Sequence, residues 1–336
     1  MSKTVKVVVD AMGGDYAPSE PVKGSVLALK ECENLEIILV GKQELIEKEL
    51  SALSYDKGRL SVVNATEVII TGEPPVQSIQ QKKDSSLVVG LKIVRNGEAD
   101  AFVSAGNTGS VLVGGQVIVR KAKGVLRAPL APLIPTAKGV SLLIDCGANV
   151  DARPEHLVQF ATMGQAYMES MLGIEKPRVA LVNIGAEEEK GNALVKETFP
   201  LLKESSEINF IGNIEARDIP SGYADVIVTE AFVGNVILKL YEGLASTLIK
   251  KIKEGMMSST RGKIGGALAK PALKATLKDF DVDIYGGAPL LGLRGLVVKT
   301  HGNSKDTTFK NAIIQCIKFA ESDLNGTINN RLGLPQ

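Results

Sequence analysis

The sequence predicts an α/β protein with a mostly parallel sheet covered by helices on both faces. Two observations carry the prediction. Short apolar runs of strand length recur at 5–9, 35–40, 60–63, 101–103, 140–144, 178–184, 208–211, 225–228 and 296–298. Stretches with apolar residues at helical spacing lie between them, and such alternation builds parallel sheets through crossover helices. With 44% hydrophobic residues, the 336-residue chain can form one large domain, 1–336, or two lobes.

The first run is β-branched and breaks at Asp10 into a turn, Gly13-Gly14-Asp15. Pro18 and the apolar positions Val22, Val26 and Leu29 then begin a helix. Leu87, Val88, Leu91 and Val94 mark a second helix. Leu157, Ala161, Gly164, Tyr167 and Met171 mark a third, with Pro154 in its first turn.

The turns at the ends of the strands point to a ligand site. Ser104, Asn107, Thr108 and Gly109 come after one run, and Asp145, Gly147, Asn149 and Asp151 after another. The segments 183–192, 212–215, 230–235 (with Glu230 and Asn235) and 299–304 come after others. In a parallel sheet these turns share the carboxyl edge, where ligands bind. Glycine, asparagine and short polar groups there present N–H donors with little bulk, as an anion site requires. The plainer reading of any single turn is a tight, capped connection; the set argues for a polar crevice. The 34 glycines, about one residue in ten against a usual ~7%, fall largely in these turns.

Several function classes drop out. The first turn has no G-x-G-x-x-G, and 35–40 ends in Gly41-Lys42 without a ribose-binding carboxylate, so a nicotinamide site is not expected. No G-x-x-x-x-G-K-[ST] loop and no G-x-S-x-G elbow occur. A net charge of +1 argues against a general polyanion binder, so no nucleic-acid partner is expected. Cys32, Cys146 and Cys316 are odd in number and widely spaced, which fits reduced thiols in a cytosol better than disulfides or a metal site. No signal segment is visible, and no apolar run approaches the ~20 residues of a spanning helix. The expectation is a cytoplasmic chain without cofactor or metal.

Of two histidines, His156 beside an apolar helical stripe reads as core or cap. His301 in a strand-end turn is the better functional candidate. Two segments are basic. Arg120, Lys121, Lys123 and Arg127 suit an acidic partner, with solvated charges as the alternative. In 244–280, Leu244, Leu248, Ile252 and Met256 repeat every fourth residue beside Lys250, Lys251 and Lys253. Past a Met-Met-Ser-Ser-Thr break, Ile264, Leu268, Leu273 and Leu277 alternate with Lys263, Lys270, Lys274 and Lys278. A basic amphipathic helical hairpin of this kind contacts a membrane surface or a partner helix.

Taken together, the motifs resemble the bacterial phosphate acyltransferases of phospholipid synthesis (PlsX-type). The match runs from residue 5 to about 320 through 9–15, Lys83-Asp84-Ser85-Ser86, 104–109, 145–151, 183–191, 212–217, 286–292 and His301-Gly302. The resemblance implies a three-layer α/β/α fold like that of isocitrate dehydrogenases and phosphotransacetylases, and a homodimer. It implies transfer of a fatty acyl group from acyl-[acyl carrier protein] to inorganic phosphate. The acyl phosphate would pass to a glycerol-3-phosphate acyltransferase at the membrane, where the enzyme is peripheral. Where the family has Asp-Gly-Phe before Gly-Asn, this chain carries Glu230-Ala231-Phe232.

Such chemistry suits these residues. Phosphate is already an anion, and a thiol of pKa near ~8.5 leaves readily, so positioning and oxyanion donors do most of the catalysis. The expected catalytic residues are His301, Lys190, Asn149 and Asp15. The expected phosphate and thioester contacts are Gly13, Gly14, Ser104, Asn107, Thr108, Gly147, Glu188, Glu230 and Asn235. Arg120–Arg127 would dock the carrier protein. Rival readings are a phosphotransacetylase acting on acyl-CoA and a non-catalytic lipid- or carrier-binding protein.

Overall fold

The computed structural model describes residues 4–279 and 282–333. Among the described residues, eleven strands form two sheets. The first takes β1 (Val5–Asp10), β2 (Leu35–Gly41), β3 (Leu60–Asn64), β4 (Ala101–Ser104), β10 (Ala288–Leu290) and β11 (Leu296–Lys299), in the order β10-β11-β4-β1-β2-β3. The second takes β5 (Leu133–Thr136), β6 (Gly139–Ile144), β7 (Val179–Val182), β8 (Phe210–Ile214) and β9 (Val226–Val228), in the order β5-β6-β9-β7-β8. All pairings are parallel except β10 with β11 and β5 with β6, which close one edge of each sheet.

The helices are α1 (Ser19–Glu31), α2 (Gln43–Ser51), α3 (Pro75–Gln81), α4 (Ser86–Arg95), α5 (Thr108–Gly114), α6 (Pro154–Leu172), α7 (Ala193–Glu204), α8 (Ala231–Met257), α9 (Thr260–Asp279), α10 (Asp306–Ser322) and α11 (Leu324–Arg331). Each sheet buries both faces. On the first, Val7 and Val9 pack with Val22 and Phe309, while Val8 and Phe102 pack with Leu87 and Leu91. On the second, Leu142 and Val226 pack with Phe160 and Leu181, while Leu143 and Ile227 pack with Ile219 and Ile237. This is the expected three-layer arrangement, made twice.

Four elements depart from expectation. The run read as 208–211 forms its strand later, as β8, because Asn213 pairs with Leu181 in register. Asn213 lies inside the strand, and its side chain donates to the Glu187 carbonyl at 3.1 Å, so 212–215 is not a strand-end turn. The strands β5 and β10 were not anticipated. Pro135 and Pro289 break the strand pattern, yet proline is tolerated on edge strands. Finally, α8 begins at Ala231, far ahead of the expected basic helix. Among the described residues it is the one helix long and apolar enough, by length and composition, to cross a membrane. Only 11% of its apolar window is buried. The expectation of no such run is corrected: Lys239 and Glu242 divide it too sparsely to break the apolar face.

The helical hairpin itself forms as expected, with the break at Ser258-Ser259 between α8 and α9. Leu268 is 79% exposed, and Leu244, Leu248, Ile264 and Leu277 are exposed as well, while Leu273 is half-buried. Phe280, which ended the expected hairpin, lies outside the described residues, as does the side chain of Lys278.

Candidate active site

The carboxyl edges of the two sheets are built by different means. At the first, Asp10 ends β1 fully buried and accepts hydrogen bonds from Ser104 Oγ at 2.7 Å and Met12 N at 3.2 Å. Burial pushes its carboxyl above the usual range, and these bonds oppose the shift. Ser104 Oγ in turn accepts from Gly106 N at 3.0 Å. The turns after β1 and β4 touch so closely that a Cβ on Gly13 would lie 2.8 Å from Gly106 N. Gly14 takes a positive φ of 99°. The Asp15 N–H donates to the Gly302 carbonyl at 2.8 Å, which ties the first turn to the turn after β11.

At the second edge, Asp145 comes directly after β6, also buried. It accepts from Leu130 N (2.9 Å), Ala148 N (3.2 Å), Asn149 N (2.8 Å) and Asn149 Nδ2 (2.7 Å). Asn149 Nδ2 also donates to the Ala128 carbonyl at 3.0 Å. The start of α8 lies against this loop: a Cβ on Gly234 would sit 1.9 Å from the Asp145 carbonyl oxygen. Glu230 caps α8, accepting from Phe232 N at 2.6 Å and Val233 N at 2.9 Å. The longer acid at that position therefore serves as a helix cap.

Between the sheets lies a cavity of about 300 Å³. One part of its wall is polar: Thr108, Asn235, Glu242, Lys299, Thr300 and His301. Lys239 and Tyr241 also line it, and the remaining lining residues are mostly apolar, with Leu130, Pro132, Ile134, Leu238 and Ala245 among them. Lys299 ends β11 and is buried, and desolvation pulls its ammonium down to about 8 although Asp10 and Asp15 act the other way. Its Nζ donates to the Thr300 carbonyl. His301 Nε2 lies 3.8 Å from Glu242 Oε2. Bonding to Glu242 raises the imidazole above its ordinary pKa, so the cationic form persists to higher pH. The hydroxyls of Tyr241 and Thr300, both lining residues, are buried without a hydrogen-bond partner. A cavity with donors along one wall and unmet hydroxyls beside them can hold an anion against an apolar chain.

Of the expected residues, the fold brings Thr108, Asn235 and His301 to this cavity, with Asp15 close enough to Lys299 to influence its charge. Gly13, Gly14 and Gly147 shape the loops, Gly147 at a φ of 136°. Asn107 caps α5 through Ser110 N at 3.1 Å. Four other expected residues take up different contacts. Ser104 is buried and already bonded on both sides. Asn149 is a buried strut for Asp145. Lys190 is exposed and pairs with Glu187 at 2.8 Å, and Glu188 pairs with Lys203 at 2.6 Å. Neither of these last two lines the cavity, because the loop after β7 turns its charges to solvent.

Lys299, Tyr241 and Glu242 were missed. Lys299 carried a signal: a lysine closing an apolar strand, two residues before His301, must be buried at a cost. Tyr241 and Glu242 carried none, since only the path of α8 brings them in. In the basic segment 120–127, Lys121 and Arg127 line a second, open cleft with Glu230, while Lys123 is exposed and Arg120 follows the π-helical turn Gly115–Val119 at a φ of 71°.

Residues 5–326 match the model of a family described as fatty acid synthesis protein. A curated phosphate acyltransferase of Clostridium botulinum (strain Loch Maree / Type A3) is 50% identical over 327 residues, covering 97% of each chain. One of Alkaliphilus oremlandii (strain OhILAs) is 51% identical over 318 residues, covering 95% of this chain and 94% of its own. Among solved structures, a phosphotransacetylase from Streptococcus pyogenes superposes with a TM-score of 0.62 at 19% identity, over 96% of this chain and 95% of that one. That last likeness is one of fold.

Proposed function

The chain belongs to the fatty acid synthesis protein family and is an enzyme of the phosphate acyltransferase type, and on that premise we propose that it transfers a fatty acyl group from an acyl carrier protein thioester to inorganic phosphate. The observation that carries this reading is the two-sided cavity. Its polar wall offers Lys299, His301 and Asn235, and its apolar lining residues Leu238 and Ala245 lie on α8, whose exposed Leu240, Leu244 and Leu248 continue toward the hairpin. An acyl chain tracks along that apolar path while its thioester meets phosphate at the donors.

In the reaction, a phosphate oxygen attacks the thioester carbonyl carbon. The carbonyl oxygen takes up negative charge, the carbon–sulfur bond then breaks, and acyl phosphate and the carrier's thiol leave. Lys299 and Asn235 supply preorganised positive charge and N–H donors to phosphate and oxyanion; one such donor contributes about 3 kcal/mol to transition-state stabilisation. His301, whose proton affinity Glu242 raises, gives its proton to the departing sulfur. Asp10 and Asp15 favour the charged form of Lys299 against desolvation.

The carrier protein approaches the basic segment Arg120–Arg127. Residues 1–336 act as one catalytic unit, with the 244–280 hairpin serving dimer and membrane contact. The enzyme is cytoplasmic and peripheral to the membrane, where its short-lived, amphiphilic product passes to a glycerol-3-phosphate acyltransferase. Family membership removes the non-catalytic alternative. The deciding experiment measures phosphate-dependent loss of thioester with acyl carrier and acyl-CoA donors. Faster turnover with the carrier donor is expected; absence of phosphate dependence, or preference for acyl-CoA, overturns the reading.

A further inference from the structure

The open cleft beside the cavity has a volume of about 930 Å³ and lies where the N-terminal ends of α6, α7 and α8 meet, its lining including their capping residues Arg153, Asn192 and Glu230. His156 also lines it and is 3% exposed. The hydrogen bonding of this ring is decisive. The Arg153 N–H donates to His156 Nδ1 at 3.1 Å, and an N–H can only donate. Nδ1 is therefore unprotonated, and the neutral ring carries its proton on Nε2. Burial and the nearby Arg153, Arg127 and Lys121 favour that neutral form.

Nε2 lies 3.5 Å from Arg153 Nη2. Both are donors, so neither satisfies the other. The Arg153 Nε is occupied by Glu155 at 3.1 Å, which leaves Nη2 turned to the histidine. Two donors converge on one point of a cleft that also holds Lys121 and Arg127. Of the acidic groups there, Glu230 is spent on capping α8, and Asp151 is exposed at the rim.

The geometry points to a phosphate-ester site in this cleft, in which His156 Nε2–H and the Arg153 guanidinium donate to one phosphate group and Arg127 and Lys121 neutralise it. A planar guanidinium beside a second N–H suits phosphate oxygens. The position suggests which phosphate. Glu230 and Phe232 line the cleft, while Asn235 and Leu238 line the cavity, so the two sites flank the first turns of α8, their lining residues roughly 5–12 Å apart along its axis. A thioester donor with a phosphate on its pantetheine arm can rest the phosphate in the cleft and place its sulfur in the cavity. This assignment rests on the carrier-thioester reading above.

The test is calorimetric binding to the full-length protein with three probes: phosphopantetheine, pantetheine and inorganic phosphate. Phosphopantetheine is expected to bind at least tenfold more tightly than pantetheine, and Arg153→Gln to abolish that difference. Because Arg153 and His156 also cap α6, a Lys121→Gln/Arg127→Gln variant, which touches no cap, must reduce the same difference with an unchanged melting temperature. Inorganic phosphate binding at the cleft with no gain from pantetheine would support the phosphate site and assign it to the free ion. Equal binding of phosphopantetheine and pantetheine, with no phosphate binding sensitive to Arg153, overturns it. No turnover is read, so a protein that binds phosphopantetheine through Arg153 yet forms no acyl phosphate would remove the proposed reaction and leave this site standing.

Discussion

Ser104 donates a 2.7 Å hydrogen bond to Asp10 across adjacent strands, joining residues 94 positions apart at the buried edge of the first sheet. The pair holds the turns after β1 and β4 together behind the cavity wall that carries Lys299. Its polar atoms are spent on each other and on Gly106 and Met12, so this part of the Gly-rich edge serves as foundation for the site.

Removing the serine hydroxyl leaves a buried carboxylate short of a donor. Ser104→Ala is expected to lower stability by about 1–3 kcal/mol, read from the midpoint of urea unfolding. An unchanged midpoint with a raised KM for phosphate would instead place Ser104 at the substrate.

Lys299 titrates at about 8, so its ammonium is lost as pH rises through that value. Acyl-phosphate formation is expected to fall above pH 8, and Lys299→Met to cost about 10²–10³ in rate at neutral pH. Stability moves the other way. The folded pKa lies below the ordinary 10.5, so between the two the unfolded chain binds more protons and stability rises with pH. Lys299→Met should flatten that rise.

His301 gains its proton affinity from Glu242. In Glu242→Gln its pKa should fall toward the ordinary value, and the pH at which activity begins to decline should fall with it. Any stability from the pair is present below the histidine's ordinary pKa and fades as pH rises through the raised one; both groups are half exposed, so it is small. With two histidines in the chain and His156 buried, an NMR titration resolves the shift.

Lys190 pairs with Glu187 at the surface, away from the cavity. Lys190→Ala should stay within a few-fold of wild-type rate, while His301→Ala should not. A loss in Lys190→Ala as large as in His301→Ala would bring the loop after β7 into the reaction.

The hairpin presents Ile264 and Leu268 to solvent beside Lys263 and Lys270. Flotation with anionic vesicles should carry wild type upward and leave Leu268→Glu behind. Equal flotation removes the membrane role.

The amino-acid pattern determined the strands other than β5 and β10, the crossover helices, the hairpin break and the family, because apolar periodicity and Gly/Asn turns are local properties of the chain. It also placed His301, Thr108 and Asn235 at strand or helix ends, where the cavity uses them. Only the tertiary structure decided which polar turns face the cavity and which support it. Asn149 and Ser104 have the same side-chain chemistry as a phosphate contact, and burial beside Asp145 and Asp10 converts them into struts. Lys190 lies in the loop after β7 and Lys299 closes β11, yet one turns to water and the other is buried within the electrostatic reach of two aspartates. Desolvation and partner geometry separate them, and both arise from residues far apart in the sequence.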